Sequence, residues 1–217
     1  MRQVLLPLTV AFIAVSRCQV GAREVDLGTP VQSTPYDKFL GPMRDVLARL
    51  GTDRPAMPPV NGWVREGRDF QYSFTEPYVP QLPEVTERLR AGDCKAKSLW
   101  LASKMNDRTV RFVVGKYTRS AEMSHAWLLW ENMGRWYVLD PTMKSSAIDL
   151  ANVSENDWVP LFSYSAHGKF QHEAASSMAD REHPDPIGGR WRPRKLAASE
   201  ILWPQQWPLL TFYAKLP

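Results

Sequence analysis

The sequence predicts an α+β fold in which one helix packs against an antiparallel β-sheet. Three observations predict it. Behind Asp93, a good N-cap, Ala96, Leu99, Trp100 and Ser103 line one stripe of a segment running to about Met105, the pattern of a core-facing helix. Three β-rich runs follow, over 110–117, 124–131 and 135–139. Between the last two, Glu131-Asn132-Met133-Gly134 is a turn sequence that folds them into a hairpin. With 217 residues, 44% hydrophobic and 23% charged, the chain suits one globular domain and lacks the polar, unbalanced composition of disorder. Its 27 basic and 23 acidic side chains, a net charge of +4, are too mixed to mark a nucleic-acid binder.

The elements read in order from the N-terminus. Arg2, the apolar run 4–15 and the small residues Val20-Gly21-Ala22 have the layout of a secretory signal peptide over 1–22. The run is shorter than the roughly 20 apolar residues of a membrane span. Arg17 stands where a lipoprotein signal before Cys18 needs a small residue. Cleavage after Ala22 lowers the charge to +2 and leaves Cys94 as the only thiol, in an exported protein of the periplasm or the extracellular space. Residues 23–59 form a lead-in and an N-terminal helix. Thr34-Pro35 opens that helix, Tyr36, Phe39, Leu40, Met43, Leu47 and Leu50 give it a periodic face, Pro42 is a kink position, and Gly51 stops it. The Pro-rich stretch 51–83 reads as a wrapped loop with one strand, 70–74. Pro83 to Leu89 reads as a short helix. Beyond the hairpin, residues 143–217 are less regular and read as an extension of the same domain. They include a basic cluster (Arg190, Arg192, Arg194 and Lys195 with Trp191) that reads as a solvated loop.

Chemistry gathers at three positions. Cys94 opens the central helix, where unpaired N–H groups and the positive end of the helix dipole favour negative charge; Lys95 and Lys97 add to that and Asp93 opposes it. A nucleophilic sulfur needs a base, and the base needs a group to orient it. His125 begins one hairpin strand and Asp140 ends the other. A four-residue loop over 131–134 would set these two directly opposite each other, with Cβ atoms roughly 5 Å apart. A three-residue loop would put them on opposite faces. Each residue alone has a plainer reading: a buried inert thiol, a half-buried structural histidine, a turn-forming aspartate before proline. Their joint presence, in this order, points to nucleophilic catalysis.

The blocks GDCKAKSLWLASKM and SHAWLLWENMGRWYVLDPT resemble the transglutaminase-like branch of the papain-like cysteine enzymes. There, Gly-Asp-Cys opens a helix, His-Ala-Trp lies on a strand and Leu-Asp-Pro closes the next. The resemblance spans about residues 60–142, the expected catalytic core. Val60-Asn61-Gly62-Trp63 and Pro83-Glu84 within it are similar to pieces of exported bacterial transglutaminase-like cysteine proteases. It implies a papain-like core with Cys94 as nucleophile, His125 as general base and acid, and Asp140 orienting the histidine. The implied activity is hydrolysis of protein or peptide amide bonds through a thioester. Protein crosslinking, and a silent peptide- or glycan-binding module on the same fold, are the alternatives. The Cys94 N–H is available as an oxyanion donor, with Gln81, or else Gln71, as a side-chain candidate. Trp127 and Trp130 are candidates for lining a substrate groove, although strand aromatics usually belong to a core. His167 and His172 lack metal-site spacing, so no zinc site is expected; no cofactor is expected either, calcium being only what the resemblance could imply. Some proteases of the group bind calcium through acidic residues just before the Cys; here only Asp93 stands there, behind Ala91 and Gly92.

Overall fold

The computed structural model describes residues 25–75 and 78–175. The expected signal peptide, His183 and the basic cluster at 190–195 lie outside the described residues. The described residues begin with a short edge strand, β1 (Thr29–Val31), and a 3-10 turn (Asp37–Phe39), followed by α1 (Gly41–Ala48) and α2 (Met57–Asp69). Then come β2 (Gln71–Tyr72), α3 (Pro83–Leu89), β3 (Ala91–Gly92) and α4 (Cys94–Met105). The rest is β: β4 (Arg111–Thr118), β5 (Ser124–Asn132), β6 (Arg135–Leu139), β7 (Ile148–Asp149), β8 (Asp157–Ser165) and β9 (Gly168–Gln171). Seven strands form one sheet in the order β1-β9-β8-β4-β5-β6-β7, every neighbouring pair antiparallel. β2 and β3 form a separate parallel pair. The fold is therefore α+β.

Period-two alternation buries both faces of the sheet. Phe112, Val114, Ala126, Leu128, Trp130, Leu139 and Tyr164 face the helices, meeting Leu99, Trp100, Leu101 and Met105 of α4, Val60 and Val64 of α2, and Met43 and Leu47 of α1. Val113, Trp127, Leu129, Val138 and Trp158 face the other way, under Leu150 and Val153. No helix among the described residues is long and apolar enough to cross a membrane.

Three expectations are corrected. The single helix over 36–50 is interrupted at Leu40, and Pro42 sits in the first turn of α1. A proline disfavours helical geometry in the residue before it and has no N–H to give, so it begins a helix rather than bending one. The stretch expected as loop contains α2, whose first turn holds Pro58 and Pro59. Its buried residues Val60, Val64 and Gly67 recur at helical spacing. At Gly67 a Cβ would come 2.8 Å from Pro141 and 2.9 Å from the Trp100 ring, so the missing side chain lets α2 lie close against α4. Finally, the β5–β6 loop has two residues, Met133 and Gly134, both at positive φ (52° and 74°), because Asn132 pairs with Arg135. This register is two residues away from the one that sets His125 opposite Asp140. The parity is unchanged, so the two stay on one face as diagonal neighbours.

β8 and β9 arise in the stretch that the sequence left without elements. β8 carries Pro160 in an interior strand, and the proline faces Gly115 where the β4–β8 register shifts. Such an irregularity is where an interior strand tolerates a residue without an N–H.

Candidate active site

α4 starts at the nucleophile candidate. The Asp93 carboxylate caps it, Oδ1 accepting the Ala96 N–H at 2.8 Å, which frees the first turn to point its other donors outward. Cys94 is the next residue, a free thiol that is 5% exposed. β5 delivers His125, paired with Gly115 of β4. Asp140 follows the last residue of β6 and is wholly buried.

Asp140 both holds the turn and binds the imidazole. Oδ1 accepts the N–H groups of Thr142 (3.0 Å) and Met143 (3.1 Å). Oδ2 lies 2.8 Å from His125 Nε2 and accepts the Trp158 indole N–H at 3.0 Å. Burial alone would push this carboxyl up, but the His125 bond and charge, the indole and the Thr142 N–H together hold it below the usual carboxylate value. With Nε2 engaged by Asp140, Nδ1 is the ring nitrogen left for Cys94, whose side chain interacts with the imidazole. Burial would lower the histidine; the bonds to Asp140 and Cys94 and their charges overcome it and raise it to about 10. The ring is fixed from two further sides. Trp127 stacks on it (centroids 6.0 Å apart, planes at 25°) and Tyr117 meets it edge-on at 6.1 Å. The three sequence candidates thus come together in one chain of contacts: Asp140, His125, Cys94.

The groove candidates do not line a groove. Trp127 and Trp130 are wholly buried, the first behind His125 and the second in the helix-facing core, where its indole donates to Asp107 Oδ2 at 2.9 Å. Strand alternation sends them to opposite faces of a sheet covered on both. Gln81 also departs from its expected role as oxyanion donor. Its amide donates to Thr86 Oγ1 (2.9 Å) and to the Ala91 carbonyl (2.7 Å), which uses both N–H bonds to brace β3. Gln71 is exposed on β2, held through its backbone N–H to the Arg90 carbonyl at 2.9 Å.

Tyr72, beside Gln71, is the residue that sequence reasoning passed over. Parallel pairing with β3 sets it opposite Gly92, two residues before Cys94. Its hydroxyl lies against Cys94 and interacts with both the side chain and the backbone N–H there. Burial of the hydroxyl, then the nearby Cys94 and Asp93 charges, push the phenol well above its ordinary value, so it stays neutral and keeps a proton to donate. The 70–74 strand was legible; its pairing with the residues before Cys94 was not.

The two lysines after Cys94 take different places. Lys95 pairs with Asp93 Oδ2 at 2.5 Å and lies 4.6 Å from the Tyr78 ring centre. Lys97 is buried and donates to the Phe70 carbonyl at 2.5 Å; burial lowers it, against the charges of Asp140, Asp69 and Cys94. Asp93 therefore has one oxygen on a helix N–H and the other on an ammonium, and Gly92 and Ala91 before it carry no donor side chain. These residues do not fit a calcium ion. Among the described residues, no three His, Cys, Asp or Glu side chains gather as a metal site. His172 bonds to Ser163 Oγ at 2.8 Å and lies 3.3 Å from Asp26 Oδ2; the serine is wholly buried, so the cluster ties the N-terminal lead-in to β8.

No family model matches the chain, and no curated protein does. Among solved structures it is similar to Legionella pneumophila LapG in its calcium-bound form, at 12% identity and a TM-score of 0.45, covering 69% of this chain and 92% of that one. It is also similar to EGTA-treated LapG from the same organism, at 15% identity and a TM-score of 0.42, covering 66% and 81%.

Proposed function

We propose that the chain is an exported cysteine hydrolase of the transglutaminase-like kind, cutting amide bonds in proteins or peptides. One observation supports this above all: a single imidazole lies between a buried, fully hydrogen-bonded carboxylate and a free thiol at a helix start. In the reaction, the Cys94 thiol gives its proton to His125 and the sulfur attacks the amide carbonyl carbon, the carbonyl π pair moving onto oxygen. When the carbonyl re-forms, the C–N bond breaks and the His125 imidazolium gives its proton to the departing amine, leaving a thioester. His125, now neutral, takes a proton from water as the water attacks that thioester, and returns it to the departing sulfur, so that the carboxylic acid leaves and the thiol is restored. Asp140 keeps Nδ1 turned toward sulfur throughout. Export is read from residues 1–22 and makes Cys94 the single thiol of the working chain.

The test is hydrolysis of an unfolded protein by the wild type and by Cys94→Ala, with mass spectrometry for an acyl adduct on Cys94. Cleavage by the wild type, with none by the variant, is expected. Equal cleavage by both would sink the reading. Incorporation of a primary amine into a glutamine-containing protein, without hydrolysis, would replace it with crosslinking.

A further inference from the structure

We propose that Tyr72 is a catalytic residue of this site, its hydroxyl forming the oxyanion hole together with the Cys94 backbone N–H. The inference rests on the reading of Cys94 as the nucleophile and deepens it.

Attack on a carbonyl moves negative charge from sulfur to the carbonyl oxygen, one bond beyond the carbon that sulfur has joined. Stabilisation is largest where donors already point at the place the charge will reach. The Cys94 N–H is one such donor, unpaired by the helix because it lies in the first turn. Gln81 offers no second, since both its amide hydrogens are used within the β3 brace. Tyr72 meets the requirement. The pairing with Gly92 brings its hydroxyl to Cys94, where it interacts with both the side chain and the backbone N–H.

The placement follows from backbone pairing. β2 runs parallel to β3, Tyr72 faces Gly92, and the Ser73 N–H donates to the Gly92 carbonyl at 3.2 Å. The strand that leads into the nucleophile thus fixes the tyrosine. Tyr72 is nevertheless half-exposed, which leaves its side chain room to move. The hydroxyl thus lies against the Cys94 N–H to which a carbonyl oxygen would bind. An arriving carbonyl oxygen displaces it there, and the O–H turns from sulfur to the new oxyanion as the charge moves. A neutral phenol suits this role, because a phenolate would have no proton to give and would repel the oxyanion.

The experiment compares two reactions of one thiol. Acetylation by 4-nitrophenyl acetate passes through an oxyanion; alkylation by iodoacetamide displaces iodide and develops none. Tyr72→Phe keeps the ring and removes the hydroxyl. It should slow the 4-nitrophenolate burst about 10²–10³-fold, the usual cost of one oxyanion donor, while the alkylation rate at the alkaline plateau stays at the wild-type value. A burst as fast as or faster than wild type overturns the proposal and leaves the Cys94 reading intact. Equal losses in burst and alkylation overturn it also, since a misplaced thiol would account for both. A wild-type protein with no burst beyond that of Cys94→Ala refutes the nucleophile reading, and the Tyr72 proposal with it.

Discussion

His125 Nε2 and Asp140 Oδ2 lie 2.8 Å apart although the two residues are not cross-strand partners. The two-residue turn shifts β6 past β5, so the carboxylate reaches the imidazole diagonally from just beyond the strand end. That geometry gives Asp140 one oxygen for the turn and one for the histidine. Asp140→Asn should keep the turn bonds and lose the charge that holds the imidazolium. Turnover is expected to fall about 10³–10⁴-fold, as when the orienting carboxylate of a catalytic triad is neutralised. A loss under tenfold in steady-state hydrolysis would contradict the role.

Trp158 donates to the same oxygen as His125. It is one of the groups that hold the Asp140 carboxyl below its ordinary 3.8, against burial, which would raise it. A depressed carboxyl stabilises the fold above its unfolded value, and that contribution is lost as pH falls through the folded one. Trp158→Phe removes one depressing group, so acid unfolding should begin at a higher pH. The core substitution also costs stability at every pH. The diagnostic is therefore the pH dependence of the difference from wild type, measured by urea unfolding down through the acid transition. A difference independent of pH would contradict the bond's effect on Asp140.

His125 has the opposite sign. Its folded value is raised to about 10 from 6.5 because the bonds to Asp140 and Cys94 outweigh burial. The stabilisation is complete below the unfolded value and is lost as pH rises through the folded one. The stability gap between wild type and His125→Gln should thus be widest near about pH 6 and narrow toward about pH 10. Urea unfolding across that window measures it, and a gap that widens with pH would show that the imidazole is not held as its cation.

The parts of this site that were legible in the sequence are local. Asp93 announces the start of α4 because a capping side chain and its target N–H lie three residues apart, at Ala96. His125 and Asp140 share a face because strand parity survives a two-residue error in loop length. What escaped depends on distant pairing. α2 was hidden by prolines that mark a helix start as readily as a loop. Tyr72 reaches Cys94 only through β2–β3, across 20 residues from Tyr72 to Gly92, with α3 between. The burial of Trp127 and Trp130 depends on both faces of the sheet being covered, which required β8 and the turn at Leu150 to be placed.

The hairpin register rests on two residues. Met133 at φ 52° and Gly134 at φ 74° form the left-handed pair that matches strand twist. Met133 is 95% exposed, so replacing it removes no packing. Met133→Asn should stabilise the protein by about 0.5–1 kcal/mol, and Gly134→Ala should destabilise it by about 1–2 kcal/mol through the left-handed penalty. Urea midpoints at constant m-value check both. A neutral Gly134→Ala would argue for a longer, looser loop.

Gly115 of β4 faces His125 of β5 on one side and Pro160 of β8 on the other, at the position where the β4–β8 register shifts. A Cβ there would lie 2.2 Å from the Val159 carbonyl oxygen and 2.7 Å from the Trp127 ring. The carbonyl is backbone inside the sheet and the indole is wholly buried, so neither can yield cheaply. Gly115→Ala should therefore destabilise by about 3 kcal/mol, the upper end of the usual overpacking range. Because Trp127 stacks on His125, the strain should also displace the imidazole and lower turnover beyond what the unfolded fraction explains. Gly62→Ala is the contrasting substitution: it lies within α2 with nothing within 4 Å of its added Cβ. There the gain in helix propensity should stabilise by about 0.5–1 kcal/mol with no effect on turnover. If the two alanines shift the urea midpoint alike, the close contact at Gly115 is not what sets the position of the histidine.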